Sequence, residues 1–179
     1  DDGLCWLSPG DQVVPVVQWP QPSSTNGVGM CAWEGALYIP LYNSIVRFSA
    51  DGSLLPIGPV QAAGLPPEIA GPIHYLYPTP HFLFVCMGNP DSSGYSSLWA
   101  YSVDGWHCLA LGPQGVAMRT VAINPADNNL YWGGDSGIML RTYYPPNTTN
   151  PMLATSGMMW EQEGWVEYCL LYTSPSPRD

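Results

Sequence analysis

A chain of 179 residues that is 46% hydrophobic and 12% aromatic can fold as one domain with a sizeable core, which excludes a disordered polypeptide. Only 10% of residues are charged, lysine is absent, and 14 Asp and Glu against 4 Arg leave a formal charge of −10. Such a surface repels phosphate backbones and anionic lipid headgroups, so nucleic acid and membrane surfaces are poor partners and a cationic or uncharged one fits better.

No apolar run approaches the roughly eighteen residues of a membrane-spanning helix, and no basic segment leading into an apolar one opens the chain. The first residue is Asp1 rather than Met, which reads as a processed protein or a piece of a longer one and leaves its destination open. Cys5, Cys31, Cys86, Cys108 and Cys169 are scattered without a Cys-x-x-Cys pair. They read as small buried hydrophobes rather than zinc ligands or a redox pair, with a long-range disulfide left open. Twenty prolines and nineteen glycines interrupt every window of helical length, so the expected fold class is all-β.

Taken in chain order, residues 6–17 read as two strands of an incomplete first unit. A second unit spans 27–59, with strands expected near 28–33, 37–41, 45–48 and 54–57. A third spans 72–113, with strands near 73–77, 82–87, 98–101 and 106–111. A fourth spans 118–155, with strands near 120–123, 130–132 and 138–142 and a weaker fourth strand near Met152. A further segment begins over 156–168.

Two anchors tie these units together. Leu37-Tyr38, Leu83-Phe84 and Leu130-Tyr131 each follow a turn, at offsets of 46 and 47 residues. LSPGDQVVPV at 7–16 aligns with FSADGSLLPI at 48–57, and YSVDGWHCLALGP at 101–113 follows with one extra residue. The Asp-Gly pairs between apolar runs predict type I′ hairpin turns, in which both central residues take positive φ.

Four short strands per repeat of 46 or 47 residues, without helices, resemble the blade of a β-propeller. The resemblance implies meandering four-stranded antiparallel blades around a common axis. About three to three and a half blades are present, and a ring usually takes four to eight, so the expectation is an open arc with unpaired edges prone to aggregate. Its remaining blades would be the first partner of the chain. Cys169 to Asp179, CLLYTSPSPRD, resembles the translation of the adapter used in transposase-based sequencing libraries. That identity implies that 169–179 is not native and that the natural sequence stops near Tyr168 in a fragment of a longer, environmental reading frame.

Catalytic motifs are weak. Gly134-Asp135-Ser136-Gly137 resembles the nucleophile motif of chymotrypsin-like serine proteases, but Ile138 replaces the following Gly and no matching His motif lies upstream. Ser49 to Gly52 and Ser102 to Gly105 are similar to the Asp-box turn of sialidase-like propellers, with the Gly directly after the Asp and no Trp in its place. Asn129-Leu130-Tyr131-Trp132 resembles part of the Tyr-Trp-Thr-Asp repeat of receptor propellers, with Gly133-Gly134 in place of Thr-Asp. His74, His81 and His107 fall in different units without metal-ligand spacing, so neither metal nor cofactor is expected. Glu161, Glu163 and Glu167 alternate along a Trp-rich segment as the polar face of a strand would. Asn147-Thr148-Thr149 is a glycosylation sequon, with meaning in a eukaryotic secretory setting.

Topology says more about binding. In a four-strand meander the second-to-third strand turns and the links between units emerge at one end, and the other turns at the opposite end. The first set is long and varied here, and long loops on a rigid scaffold are where binding resides. The candidate surface is Tyr42, Asn43, Asp91, Tyr95, Arg119 and Asp135, with Trp33 and His74 on the lining strands. The expected function is a non-catalytic binding or structural module with a protein or carbohydrate ligand, in an extracellular or virion-associated setting. The alternative is a sialidase or glycosidase propeller whose catalytic residues lie in missing blades.

Overall fold

The computed structural model describes residues 3–19, 23–59, 64–89 and 91–143. Thirteen strands and two single-turn 3-10 helices, Pro67–Ile69 and Asp135–Gly137, are found there, and the fold is all-β. The strands form four separate antiparallel sheets, each a meander in chain order. The first holds β1 (Gly3–Leu7) and β2 (Val13–Gln18). The second holds β3 (Cys31–Trp33), β4 (Ala36–Leu41), β5 (Ser44–Phe48) and β6 (Leu54–Pro56). The third holds β7 (Ile73–Pro78), β8 (Leu83–Met87), β9 (Tyr95–Ser102) and β10 (Gly105–Gln114). The fourth holds β11 (Met118–Asn124), β12 (Asn129–Gly134) and β13 (Met139–Tyr143).

The strands expected through Tyr143 are found in these sheets, with the starts of β3 and β9 displaced. β3 starts at Cys31 rather than Val28, because residues 24–29 close turns on themselves, with Val28 N–H donating to Thr25 O and Met30 N–H to Gly27 O. β9 starts at Tyr95 rather than Leu98, since Tyr95 opposes Gln114 and Ser97 opposes both Leu111 and Met87. The turn chemistry also differs. Asp51 and Asp104 keep negative φ while only Gly52 (φ 84°) and Gly105 (φ 112°) turn left-handed, so these are not type I′ turns. Instead Asp51 Oδ1 accepts the Ser53 N–H at 2.9 Å, and Ser102 Oγ accepts the Asp104 N–H at 3.2 Å. The pair with both central φ positive is Glu34-Gly35, at 46° and 74°, joining Trp33 to its partner Ala36.

Packing follows from β8, LFVCM, whose five residues are all buried. A strand covered on both faces has no polar position to offer, which explains the continuous apolar run. Leu83, Val85 and Met87 join Trp33, Tyr38, Ile45, Ile73 and Leu76 in one core cluster, so this face packs on the second sheet. Phe84 and Cys86 face the other way, into a cluster with Leu98, Ala100, Met118, Val121, Leu130 and Trp132 of the third and fourth sheets. The third sheet thus lies between the second and the fourth. Between sheets, β7 lies against β3 and β4 on one side, and β11 lies against β7 and β8 on the other, so first and second strands share the approach.

Indole N–H groups tie the layers. Trp33 Nε1 donates to Thr79 O at 2.7 Å, Trp106 Nε1 to Ile57 O at 2.7 Å and Trp132 Nε1 to Cys86 Sγ at 3.0 Å. Two of these bonds link residues 46 positions apart, the offset between Leu37-Tyr38 and Leu83-Phe84. Of the described cysteines, Cys86 is fully buried, but Cys5 is exposed, contrary to the expectation of burial.

The strand expected near Met152, the sequon Asn147-Thr148-Thr149, the Glu161, Glu163 and Glu167 alternation, and the segments 156–168 and 169–179 lie outside the described residues. Among the described residues no helix is long and apolar enough to cross a membrane.

Candidate functional site

Within each sheet the antiparallel order sends the connections to two ends. At one end stand the short turns, residues 34–35, 49–53, 79–82, 103–104 and 125–128. At the other stand the described parts of the β6–β7 link (57–59 and 64–72) and of the β8–β9 connection (88–89 and 91–94), the link 115–117, and the turns at Tyr42-Asn43 and 135–138. The second end gathers the first residues of β7 and β11 and the last residues of β8 and β12.

Arg119 and Asp135 form its most polar feature. Arg119 is the second residue of β11 and Asp135 directly follows β12, and the two strands pair from Met118 and Gly134 onward. Asp135 N–H donates to Ala117 O at 2.9 Å, which fixes the carboxylate beside β11. Arg119 Nε donates to Asp135 Oδ1 at 2.7 Å and Nη2 to Oδ2 at 2.9 Å, a side-on bidentate pair with both side chains half exposed. The Arg119 hydrogen bond holds the Asp135 carboxyl below the ordinary carboxylate range, and Asp135 in turn raises the Arg119 guanidinium.

His74, the second residue of β7, lies within electrostatic reach of both. Partial burial lowers its pKa, the Arg119 charge lowers it further and Asp135 opposes them. Its ring lies over Gly88, where any Cβ would collide with Nε2. That close approach gives the glycine after β8 its reason.

Tyr42 occupies the β4–β5 turn with a left-handed φ of 54° and its side chain 47% exposed. Its N–H donates to Asn26 Oδ1 at 3.1 Å, and its carbonyl accepts the Ile73 N–H at 2.6 Å, one residue before His74. Asn43 completes the same turn.

The remaining sequence candidates lie apart from this group. Asp91 is exposed in the 88–94 connection, where Oδ1 accepts Ser93 N–H at 2.8 Å and Ser93 Oγ at 2.7 Å; it shapes its own turn, and these bonds lower its pKa. Tyr95 is half-buried against the core between the second and third sheets. Trp33 ends β3 at the opposite end of the sheet, buried in edge-on contact with Tyr38 and Tyr101 and bonded to Thr79, so it belongs to the core. Asp135 and Gly137 of the protease-like GDSG string belong to the 3-10 turn, with the carboxylate committed to Arg119.

Two participants escaped the sequence reading. Asn26 sits in a Ser, Thr and Asn cluster that signals only a turn, and Gly88 is one of nineteen glycines. Among the described residues no three His, Cys, Asp or Glu converge as metal ligands. No protein-family model, curated protein or solved structure matches this chain.

Proposed function

We propose that this chain is an arc of a β-propeller and serves as a non-catalytic binding module of a larger protein, with its ligand surface at the end that carries Tyr42, His74, Arg119 and Asp135. The observation that supports this most is the third sheet, a four-strand meander packed on both faces by neighbouring sheets, with a first strand taking part in each close approach between sheets. Sheets that face each other through their whole breadth, as in a sandwich, have no reason to converge on first strands, whereas radially arranged blades do. The ion pair speaks for binding over catalysis: both carboxylate oxygens of Asp135 are engaged by a guanidinium, and an acid or base needs a carboxyl free to exchange a proton.

The 169–179 string is, in the same reading, translated adapter sequence rather than part of the module. Uninterrupted genomic reads across the Tyr168 codon test this and the architecture together. They are expected to replace CLLYTSPSPRD with further repeats of about 46 residues, on the spacing already present. Reads that still encode that string, or that continue without repeats, contradict the proposal.

A further inference from the structure

We propose that the surface formed by Tyr42, Arg119 and Asp135 binds a neutral oligosaccharide, its hydroxyls held by the Arg119–Asp135 pair and one sugar face stacked on the Tyr42 ring. The inference rests on the binding-module reading above and adds the ligand class.

Charge decides the class. Arg119 commits Nε and Nη2 to Asp135, which leaves its Nη1 amino group outside the pair. Each carboxylate oxygen of Asp135 receives one hydrogen bond from Arg119, while a carboxylate oxygen has room for a second. The pair therefore presents donors and acceptors side by side with no net charge, and adjacent hydroxyls, each donor and acceptor at once, match it. An anionic ligand would meet Asp135 on a chain of formal charge −10, and a cationic one would compete with Arg119 for a carboxylate already engaged. With His74 held toward its neutral form beside the pair, no further charge is added near neutral pH.

Geometry supplies the second element. Tyr42 is a nearly half-exposed aromatic residue whose backbone is fixed from both sides, by Asn26 and by Ile73. A left-handed φ on a bulky residue is a costly way to make a two-residue turn, and such strain concentrates where the side chain is needed in place. A fixed aromatic face offers a sugar ring apolar contact at little entropic cost. Tyr42 belongs to the second sheet and Arg119 to the fourth, with the start of β7 between them, so the ligand is an oligosaccharide long enough to cross from one to the other.

The test uses the full chain with three groups of immobilised probes: neutral oligosaccharides (β-glucan, mannan, galactan and chitin series), acidic ones (uronate and sialylated), and oligolysine. The variants are Arg119→Gln, Tyr42→Asn, which tolerates the left-handed φ, and Val103→Ser at the opposite end as a control, each checked for a native thermal transition. Retention by at least one neutral series is expected, weakened roughly tenfold or more in Arg119→Gln and Tyr42→Asn and unchanged in Val103→Ser. No neutral retention, retention by the acidic probes alone, or wild-type binding by both site variants overturns it. Should oligolysine bind through Arg119 and Tyr42 while every glycan fails, the carbohydrate inference falls and the binding-module reading stands; if the site variants alter retention by none of the probes, both fall.

Discussion

Tyr42 carries the clearest local conflict in the chain, an aromatic residue at φ 54° where glycine would sit freely. The left-handed region costs a residue with a Cβ about 1 kcal/mol. Tyr42→Gly should therefore leave stability unchanged or raise it by up to about 1 kcal/mol in urea unfolding, despite removing a side chain. A loss of about 2 kcal/mol instead would mean that the ring packs structurally and is not held for a ligand. Cys86 makes the opposite case. Its thiol donates to Met118 O at 3.2 Å and accepts from Trp132 Nε1 at 3.0 Å, and burial pushes its pKa up to about 12. In the native protein, thiol-directed alkylation followed by peptide mapping should label exposed Cys5 rapidly and Cys86 only on unfolding. Equal labelling rates would contradict this placement. The sequence offered Tyr42 as a binding candidate and Cys86 as a buried hydrophobe, but not their geometry: a Tyr-Asn pair gives no sign of left-handed φ, and a scattered Cys gives no sign of its partners.

At the scale of elements, the apolar runs were readable because β8 and its neighbours alternate or saturate with hydrophobes and are bounded by Gly, Pro and Asp. What was not readable is where polar residues enter strands. Ser96 and Ser97 were read as loop, yet both are fully buried in β9. Ser96 Oγ donates to Val116 O at 2.7 Å and accepts the Met118 N–H at 2.9 Å, so one hydroxyl joins the third sheet to the start of β11. A strand propensity cannot foresee this, because the partners are some twenty residues away. Ser96→Ala should cost about 1–3 kcal/mol, since it leaves a buried N–H and a carbonyl without that partner, and Ser96→Thr should cost less if the methyl is accommodated. Chemical denaturation reads both; a neutral Ser96→Ala would remove the hydroxyl from the account of how β9 and β11 are joined. The Asp-Gly turns were located in the sequence but given the wrong type, because a side chain, Asp51 in one turn and Ser102 in the other, can close a turn by its own hydrogen bond without both central residues turning left-handed.

At the scale of the molecule, the acid response follows from several groups shifted in one direction. Burial lowers the pKa of His74 and His107 from 6.5, and hydrogen bonds from Ser53, Ser93, Asn129 and Arg119 lower Asp51, Asp91, Asp127 and Asp135 from 3.8. A group whose folded pKa lies below its unfolded value contributes stability that is complete above the unfolded value and lost as pH falls through the folded one. The melting temperature should therefore decline first below about pH 6.5 as the histidines charge, and again below about pH 4 as the carboxylates protonate. A flat profile from pH 7 to 5 would contradict the burial of both imidazoles. The short strands were the most legible property of the described residues, since the anchor pairs Leu37-Tyr38, Leu83-Phe84 and Leu130-Tyr131 each fall in the second strand of a sheet. The candidate residues were named in the sequence but not which of them meet, because that depends on how successive sheets are offset. That is why Arg119, Asp135 and His74 came together while Trp33 went to the core.

In the proposed architecture these sheets are consecutive blades of one ring with a shared binding end. The most direct measurement is an experimental structure of the protein encoded by the uninterrupted reading frame. The account predicts further four-stranded meanders stacked on the fourth sheet until the ring closes, with Tyr42, His74, Arg119 and Asp135 on one face of it. A closed two-sheet sandwich, or sheets that place Tyr42 and Arg119 on opposite faces, would contradict it.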